Sequence, residues 1–189
     1  MDVFDFDNTI YDGESSFDFF KFCMRKKPSL VKHMPKIAAM LLKYKTGTVD
    51  KSEVARFCGE MLVVLAKNAD ELNDALDKFW AVNKDKLKPF MLSLLKEGDV
   101  IISASPSFMF ESIKQHLNGA DIIATEVDLT SMKIKTLCYG ENKVLEFKKK
   151  YPSIIPDNYY TDNLNDTPML ELAPNAWLVK GEKIIKYTK

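Results

Sequence analysis

The sequence predicts an α/β fold: a parallel sheet core interrupted, after its first strand, by a long helical insertion. Three observations carry this. Val3–Phe6, Val100–Ile102 and Ile122–Ala124 are short apolar runs of the kind that form strands buried on both faces. Strand-like runs alternate with helix-like segments through the second half of the chain, the pattern of a parallel sheet covered by helices. Glu14 to about Leu95 is helical in character throughout, which is too long for a simple crossover. With 189 residues the chain has room for one domain carrying a modest insertion. The expected organisation is a core of residues 1–13 and 91–189, with residues 14–90 inserted as a helical unit.

Each element has its own signal. Thr9 to Gly13 reads as a loop after the first strand. Phe17, Phe20 and Met24 then recur at helical spacing, widened by Phe19 and Phe22. Pro28 can open a second helix, continued by Ile37, Met40, Leu41 and Tyr44 until Thr46-Gly47-Thr48 breaks it. Asp50-Lys51-Ser52-Glu53 is a helix-start signal, and Val54, Phe57, Met61, Leu62 and Leu65 follow in register. Asp70–Val82, Leu87–Leu95 and Pro106–Leu117 read as further helices. Val127–Cys138 alternates in polarity around turn signals, as a hairpin does. A helix is expected over Asn142–Tyr151, a strand over Asn158–Thr161 and a short helix over Thr167–Leu172. Two closing strands, Ala176–Val179 and Lys183–Tyr187, join through Lys180-Gly181.

Composition narrows the function. The chain is 46% hydrophobic and 29% charged, as an ordinary globular domain is, and its 27 basic and 27 acidic residues cancel. A bulk electrostatic grip on nucleic acid is therefore not expected. Cys23, Cys58 and Cys138 are few and widely spaced, consistent with free thiols in a reducing cytoplasm, and no Cys/His spacing suits zinc. Two histidines, His33 and His116, leave little room for histidine chemistry. The N-terminus has no signal-peptide pattern. The most apolar long stretch, Leu30–Tyr44, is broken by Lys32, His33, Pro35, Lys36 and Lys43, so no transmembrane segment is expected.

Four segments carry candidate chemistry. In Asp5-Phe6-Asp7-Asn8-Thr9, two carboxylates leave the end of a strand, where open α/β sheets place ligands. Asp5 suits a nucleophile that attacks phosphorus, and Asp7 an acid/base for the leaving oxygen and the incoming water. A DxDxT pattern arises by chance in about one chain in fifteen of this composition, and an acidic turn capping a helix is the plain alternative. In Ile101-Ile102-Ser103-Ala104-Ser105-Pro106, the Ser103 hydroxyl and the Ala104 N–H suit a phosphoryl oxygen; the alternative is that Ser103 or Ser105 caps the next helix. Lys143 lies near a helix start and can neutralise phosphate and carboxylates, or be one surface lysine among many. In Thr161-Asp162-Asn163-Leu164-Asn165-Asp166, Asp162 suits a hard divalent cation and Asp166 the orientation of its surroundings; an Asx-rich turn is the alternative.

The four gain force together. Two carboxylates about 4 Å apart repel by about 4 kcal/mol at an effective dielectric of 20. A cluster of Asp5, Asp7, Asp162 and Asp166 therefore calls for a cation, and all-oxygen ligands favour Mg²⁺.

In this order the segments resemble the four motifs of the haloacid dehalogenase (HAD) superfamily: DFDNT the first, IISAS the second, Lys143 the third and TDNLND the fourth. The likeness spans nearly the whole chain, and the helical insertion falls where that superfamily carries its C1 cap. The chain is most similar to subclass IB, the phosphoserine phosphatase-like group. That resemblance implies a Rossmann-like core and Mg²⁺-dependent phosphomonoester hydrolysis through an aspartyl-phosphate on Asp5, with Asp7 as acid/base. It implies Mg²⁺ held by Asp5, the Asp7 main-chain carbonyl and Asp162, with Asn165 and Asp166 behind them. Ser103, Ala104 and Lys143 then bind the phosphoryl group. Glu14 and Arg56 stand where phosphoserine phosphatases contact the amine and carboxylate of their substrate; the plain readings are a helix-start acid and a solvated helix face.

Ser103-Ala104-Ser105-Pro106 departs from the Ser-Gly-Gly usual in phosphoserine phosphatases. It looks closer to the IB branch that includes phosphatidylglycerophosphatase C. The implied partner is a small phosphorylated substrate, with a lipid phosphate as the alternative if the Phe17–Met24 face and Leu30–Tyr44 lie on a membrane surface. A phospho-acceptor signalling domain and a catalytically silent binding protein are the rival readings of the same motifs.

Overall fold

The structure is a computed structural model that describes residues 1–189 apart from 47, 50–52, 54–56, 58–59, 62–63, 66–68, 132 and 189. The expected helix start at Asp50-Lys51-Ser52 lies outside the described residues, as do Arg56 and Cys58.

Among the described residues, seven strands form one sheet: β1 (Asp2–Phe4), β2 (Val100–Pro106), β3 (Asp121–Asp128), β4 (Lys133–Thr136), β5 (Asn158–Thr161), β6 (Asn175–Lys180) and β7 (Lys183–Lys186). Their order is β4-β3-β2-β1-β5-β6-β7. The central five are parallel, and β4 and β7 are antiparallel edge strands supplied by hairpins. The chain runs from β1 to β2 on one side and later returns to β5 on the other. The carboxyl end of β1 is therefore a topological switch point, where open sheets bind ligands.

The apolar runs follow from burial on both faces. Val3, Val100, Ile102 and Tyr159 enter one core cluster with Phe147 and Met169. Their neighbours Phe4, Ile101 and Tyr160 point the other way, into a cluster with Phe19, Leu76 and Phe79. On that second face Phe4 stacks on Tyr160 at 4.7 Å between ring centroids.

The helices obey the 3.6-residue period. α1 (Ser15–Lys26) buries Phe19, Phe20 and Cys23 and ends just before Pro28, which opens a 3₁₀ turn leading to α2 (Met34–Lys45). α3 (Ala69–Asn83) buries Leu72, Leu76, Phe79 and Trp80 along one stripe. Trp80 sits edge-on to Tyr11 and donates its indole N–H to the Met109 carbonyl at 2.7 Å, which joins this helix to the turn after β2. Truncating such a buried indole costs about 3–5 kcal/mol. Further helices among the described residues are α4 (Pro89–Leu92), α5 (Glu141–Lys150) and α6 (Thr167–Leu172).

Three segments differ from expectation. The first strand ends at Phe4, because the Phe6 carbonyl accepts the N–H groups of Thr9, Ile10 and Tyr11 and winds the chain into a turn. The helix expected over Leu87–Leu95 shrinks to one turn, since Leu87 is held in an antiparallel bridge to Tyr11. In place of a helix over Pro106–Leu117, β2 runs on to Pro106 and 3₁₀ turns follow at Ser107–Phe110 and Lys114–His116. Phe108, Met109 and Phe110 are all buried, and one face of a surface α-helix does not bury three consecutive side chains.

Candidate active site

The site forms where β1, β2 and β5 end and α5 begins. Asp5 leaves β1 with its N–H bonded to the Tyr160 carbonyl at 2.8 Å, so its backbone is fixed by the neighbouring strand. Lys143, in the first turn of α5, is 2% exposed. Its Nζ lies 2.7 Å from Asp5 Oδ1 and 2.7 Å from Asp166 Oδ2. Lys143 is thus a buried bridge between two carboxylates and not a surface lysine. Gly140, with φ +56°, is the residue at which the chain turns into that helix.

Asp166 is anchored from three sides. Besides Lys143, Tyr159 Oη and Thr161 Oγ1 donate to its Oδ2 at 2.8 and 2.9 Å. The Asx turn weighed for this segment is also present: the Asn163 side chain accepts the N–H of Asn165 at 2.9 Å. Asn165 is half-buried beside it.

Asp7 is held by two donors, the Ser15 N–H to Oδ1 and the Ser105 hydroxyl to Oδ2, each at 2.6 Å. Ser15 and Ser16 hydroxyls approach Ser105 Oγ at 3.1 and 2.9 Å, so the start of α1 and the end of β2 meet around this carboxyl. The Ser15 N–H belongs to the first turn of α1, so Asp7 also meets the helix-capping alternative, whereas neither Ser103 nor Ser105 caps the turn that follows β2. The sequence singled out Ser103 over Ser105; the structure adds Ser15 and Ser105 as the groups that orient Asp7. Their only advance signal was a cluster of small hydroxyl residues at two element ends.

Ser103 is fully buried, and its oxygen accepts the Ser105 N–H at 3.0 Å. The β2–β3 register slips between Ser103 and Pro106, so Ala104 and Ser105 bulge out of the ladder. Thr125 pins that bulge by donating to the Ala104 carbonyl at 2.7 Å while accepting the Cys138 N–H at 3.1 Å. Thr125 carried no signal in the sequence.

Glu14 occupies the N-cap position of α1 without making a capping bond. Its Oε1 instead accepts from Asn8 Nδ2 at 3.0 Å, and Asn8 is in the left-handed region with φ +56°. Arg56, the other residue assigned to substrate, is outside the described residues.

The electrostatics are those of crowded acids. Burial raises the Asp5 carboxyl well above the usual range, Asp166 and Asp162 add to this, and Lys143 opposes it. Burial also raises Asp7, against the hydrogen bonds from Ser105 and Ser15. Asp162 is pushed up to about 7 by burial, then by Glu14 and Asp166. Such a pile-up of oxygen donors fits a hard divalent cation. Among the described residues no three acidic, Cys or His side chains form a ready cage.

Beside Asp7 opens a cavity of about 180 Å³, walled largely by apolar side chains. Among the described residues no helix is long and apolar enough to cross a membrane.

A family model described as haloacid dehalogenase-like hydrolase matches residues 3–171. The sequence matches no curated protein. Among solved structures, the fold is similar to a protein of unknown function from Bordetella pertussis Tohama I (TM-score 0.76, 20% identity, covering 93% of this chain and 87% of that one). It is also similar to a phosphoserine phosphohydrolase-like protein from Francisella tularensis subsp. tularensis SCHU S4 (TM-score 0.66, 17% identity, 93% and 86% covered). A third likeness is to a phosphoserine phosphatase captured as a phospho-aspartyl intermediate analogue (TM-score 0.54, 14% identity, 92% and 83% covered). At these identities the likenesses speak to fold alone.

Proposed function

Since the chain belongs to the haloacid dehalogenase-like hydrolases, we propose that it hydrolyses a phosphomonoester through a covalent intermediate on Asp5. The observation that carries this reading is the convergence of Asp5 and Asp7 at the switch point, with Lys143 bound to the first and Ser105 to the second.

The steps follow from the side chains. Lys143 holds Asp5 Oδ1, which leaves Oδ2 to attack phosphorus. The bond from phosphorus to the ester oxygen breaks, and the protonated Asp7 carboxyl gives its proton to that oxygen. A raised Asp7 favours the protonated form this step needs. The Asp7 carboxylate then takes a proton from water, whose oxygen attacks the aspartyl-phosphate and frees phosphate and Asp5. Ser103 and the Ala104 N–H, with Lys143, bind phosphoryl oxygens. Mg²⁺ held by Asp5, Asp162 and the Asp7 main-chain carbonyl supplies the positive charge that lets an anionic phosphate approach an anionic nucleophile. Asp166 and Asn165 support that arrangement from behind.

In this reading residues 14–90 act as a cap over a core of residues 1–13 and 91–189, with Glu14 at the border of the two. Cys23 and Cys138, free and buried, accord with a cytoplasmic protein. The test is a phosphatase screen with Mg²⁺ over phosphoserine, sugar phosphates, nucleotides, alkyl and aryl phosphates and lipid phosphates. Asp5→Asn serves as the blank. Turnover that vanishes in the folded variant is expected; an active Asp5→Asn protein would sink the assignment.

A further inference from the structure

The cavity beside Asp7 has a polar end and an apolar interior. Asp7, Glu14, Ser16 and Ser105 line the polar end. Phe17, Phe20, Ile37, Met61, Leu137 and Tyr139 are among the residues that line the rest, Tyr139 being the one of these with a polar atom. Its walls come from α1, α2, the stretch before α3, the turn after β2 and the loop before α5. Ala104, at the bulge assigned to the phosphoryl group, belongs to the same wall.

This continuity fixes what the cavity faces. An acid/base must touch the oxygen that leaves phosphorus, so whatever that oxygen carries extends from Asp7. We infer that the cavity receives the alcohol portion of the substrate, and that this portion is an apolar chain or a single aromatic ring. The inference rests on the phosphatase reading and deepens it by naming the substrate class. A hydroxyl or a second anionic group placed there would be taken out of water among Phe, Ile, Leu and Met side chains. No basic side chain stands among the described lining residues, and Glu14 would repel an added anion. An apolar group meets neither cost. A cavity of 180 Å³ compares with the roughly 150 Å³ apolar cavity that takes benzene, so about six to eight carbons fill it.

The test is binding, independent of turnover. Non-hydrolysable n-alkylphosphonates from methyl to decyl are titrated calorimetrically into the protein with Mg²⁺ present. Affinity should rise about fourfold per methylene and level off near six to eight carbons. An amino-acid phosphonate of butyl length should bind more weakly than butylphosphonate. Ile37→Trp, which places bulk inside the cavity, should move the plateau to shorter chains. Affinity that is absent or flat along the wild-type series, or tighter binding of the amino-acid phosphonate, overturns the inference whatever the turnover. A rising series in a protein that hydrolyses no phosphomonoester would overturn the phosphatase reading and leave the cavity assignment standing.

Discussion

The ammonium of Lys143 lies 2.7 Å from Asp5 Oδ1 and 2.7 Å from Asp166 Oδ2, so one buried cation serves two buried carboxylates in the segments that follow β1 and β5. Removing one partner of such a group leaves charge uncompensated in a place water does not reach. Lys143→Met should therefore lose about 3 kcal/mol of stability and all measurable turnover. Lys143→Arg should not restore turnover, because a planar guanidinium does not reproduce a point charge between two oxygens. Urea unfolding beside a rate assay checks both; a Lys143→Met protein as stable as the wild type would refute the bridging role.

With Asp7 as the proposed acid/base, Ser105 should act on the rate through it. Its hydroxyl donates to Asp7 Oδ2, while the Ser15 N–H holds Oδ1. Ser105→Ala keeps one of the two constraints, so kcat should fall roughly tenfold with KM little changed. Ser105→Thr, which keeps a hydroxyl, should recover most of the loss. A fall in stability with no change in kcat would show a merely structural serine.

A bound cation should be visible without any substrate. Mg²⁺ that binds the folded acidic cluster and not the unfolded chain raises the melting temperature in a concentration-dependent way. A chelator should stop turnover and added Mg²⁺ restore it. Asp162→Asn should move the Mg²⁺ requirement at least tenfold higher, read from both the melting curve and the rate.

Asp18 ties α1 to the loop after β1 and to the turn at Lys84–Lys86. Its carboxylate accepts from Tyr11 Oη at 2.9 Å and pairs with Lys86 at 2.7 Å and Lys21 at 2.5 Å. Burial pushes this carboxyl up, but the three donors outweigh burial and hold it below the usual range. A group whose folded value is depressed contributes stability above its unfolded value, and that stability is lost as pH falls through the folded one. Wild type should therefore lose stability more steeply than Asp18→Asn below about pH 4. Melting temperatures from pH 2 to 7 decide it; parallel curves would deny Asp18 this part. Gly13 belongs to the same junction. Its φ is +135°, and a Cβ there would stand 3.1 Å from Asp18 Oδ2, so Gly13→Ala should weaken the contact.

What the sequence determined by itself is local. Val3–Phe4, Val100–Ile102 and Tyr159–Tyr160 alternate between two buried faces, so each run could be recognised as a strand without its neighbours. The stripe Leu72, Leu76, Phe79 marks a helix through spacing alone. Asp5 and Asp7 were legible because both lie within one short motif after a strand. Tertiary structure decided the rest. Lys143 meets Asp5 across 138 residues and Ser105 meets Asp7 across 98, and no periodicity encodes such distances. The 3₁₀ turn at Ser107–Phe110 replaces a helix because both the sheet and α3 claim its side chains. The cavity likewise exists only where α1 and α2 lean over the end of β2. Residue type and short spacing set strands, helices and the identity of the chemical groups. Which groups touch, what burial does to their protons and what shape is left beside them depend on packing between segments far apart in the chain.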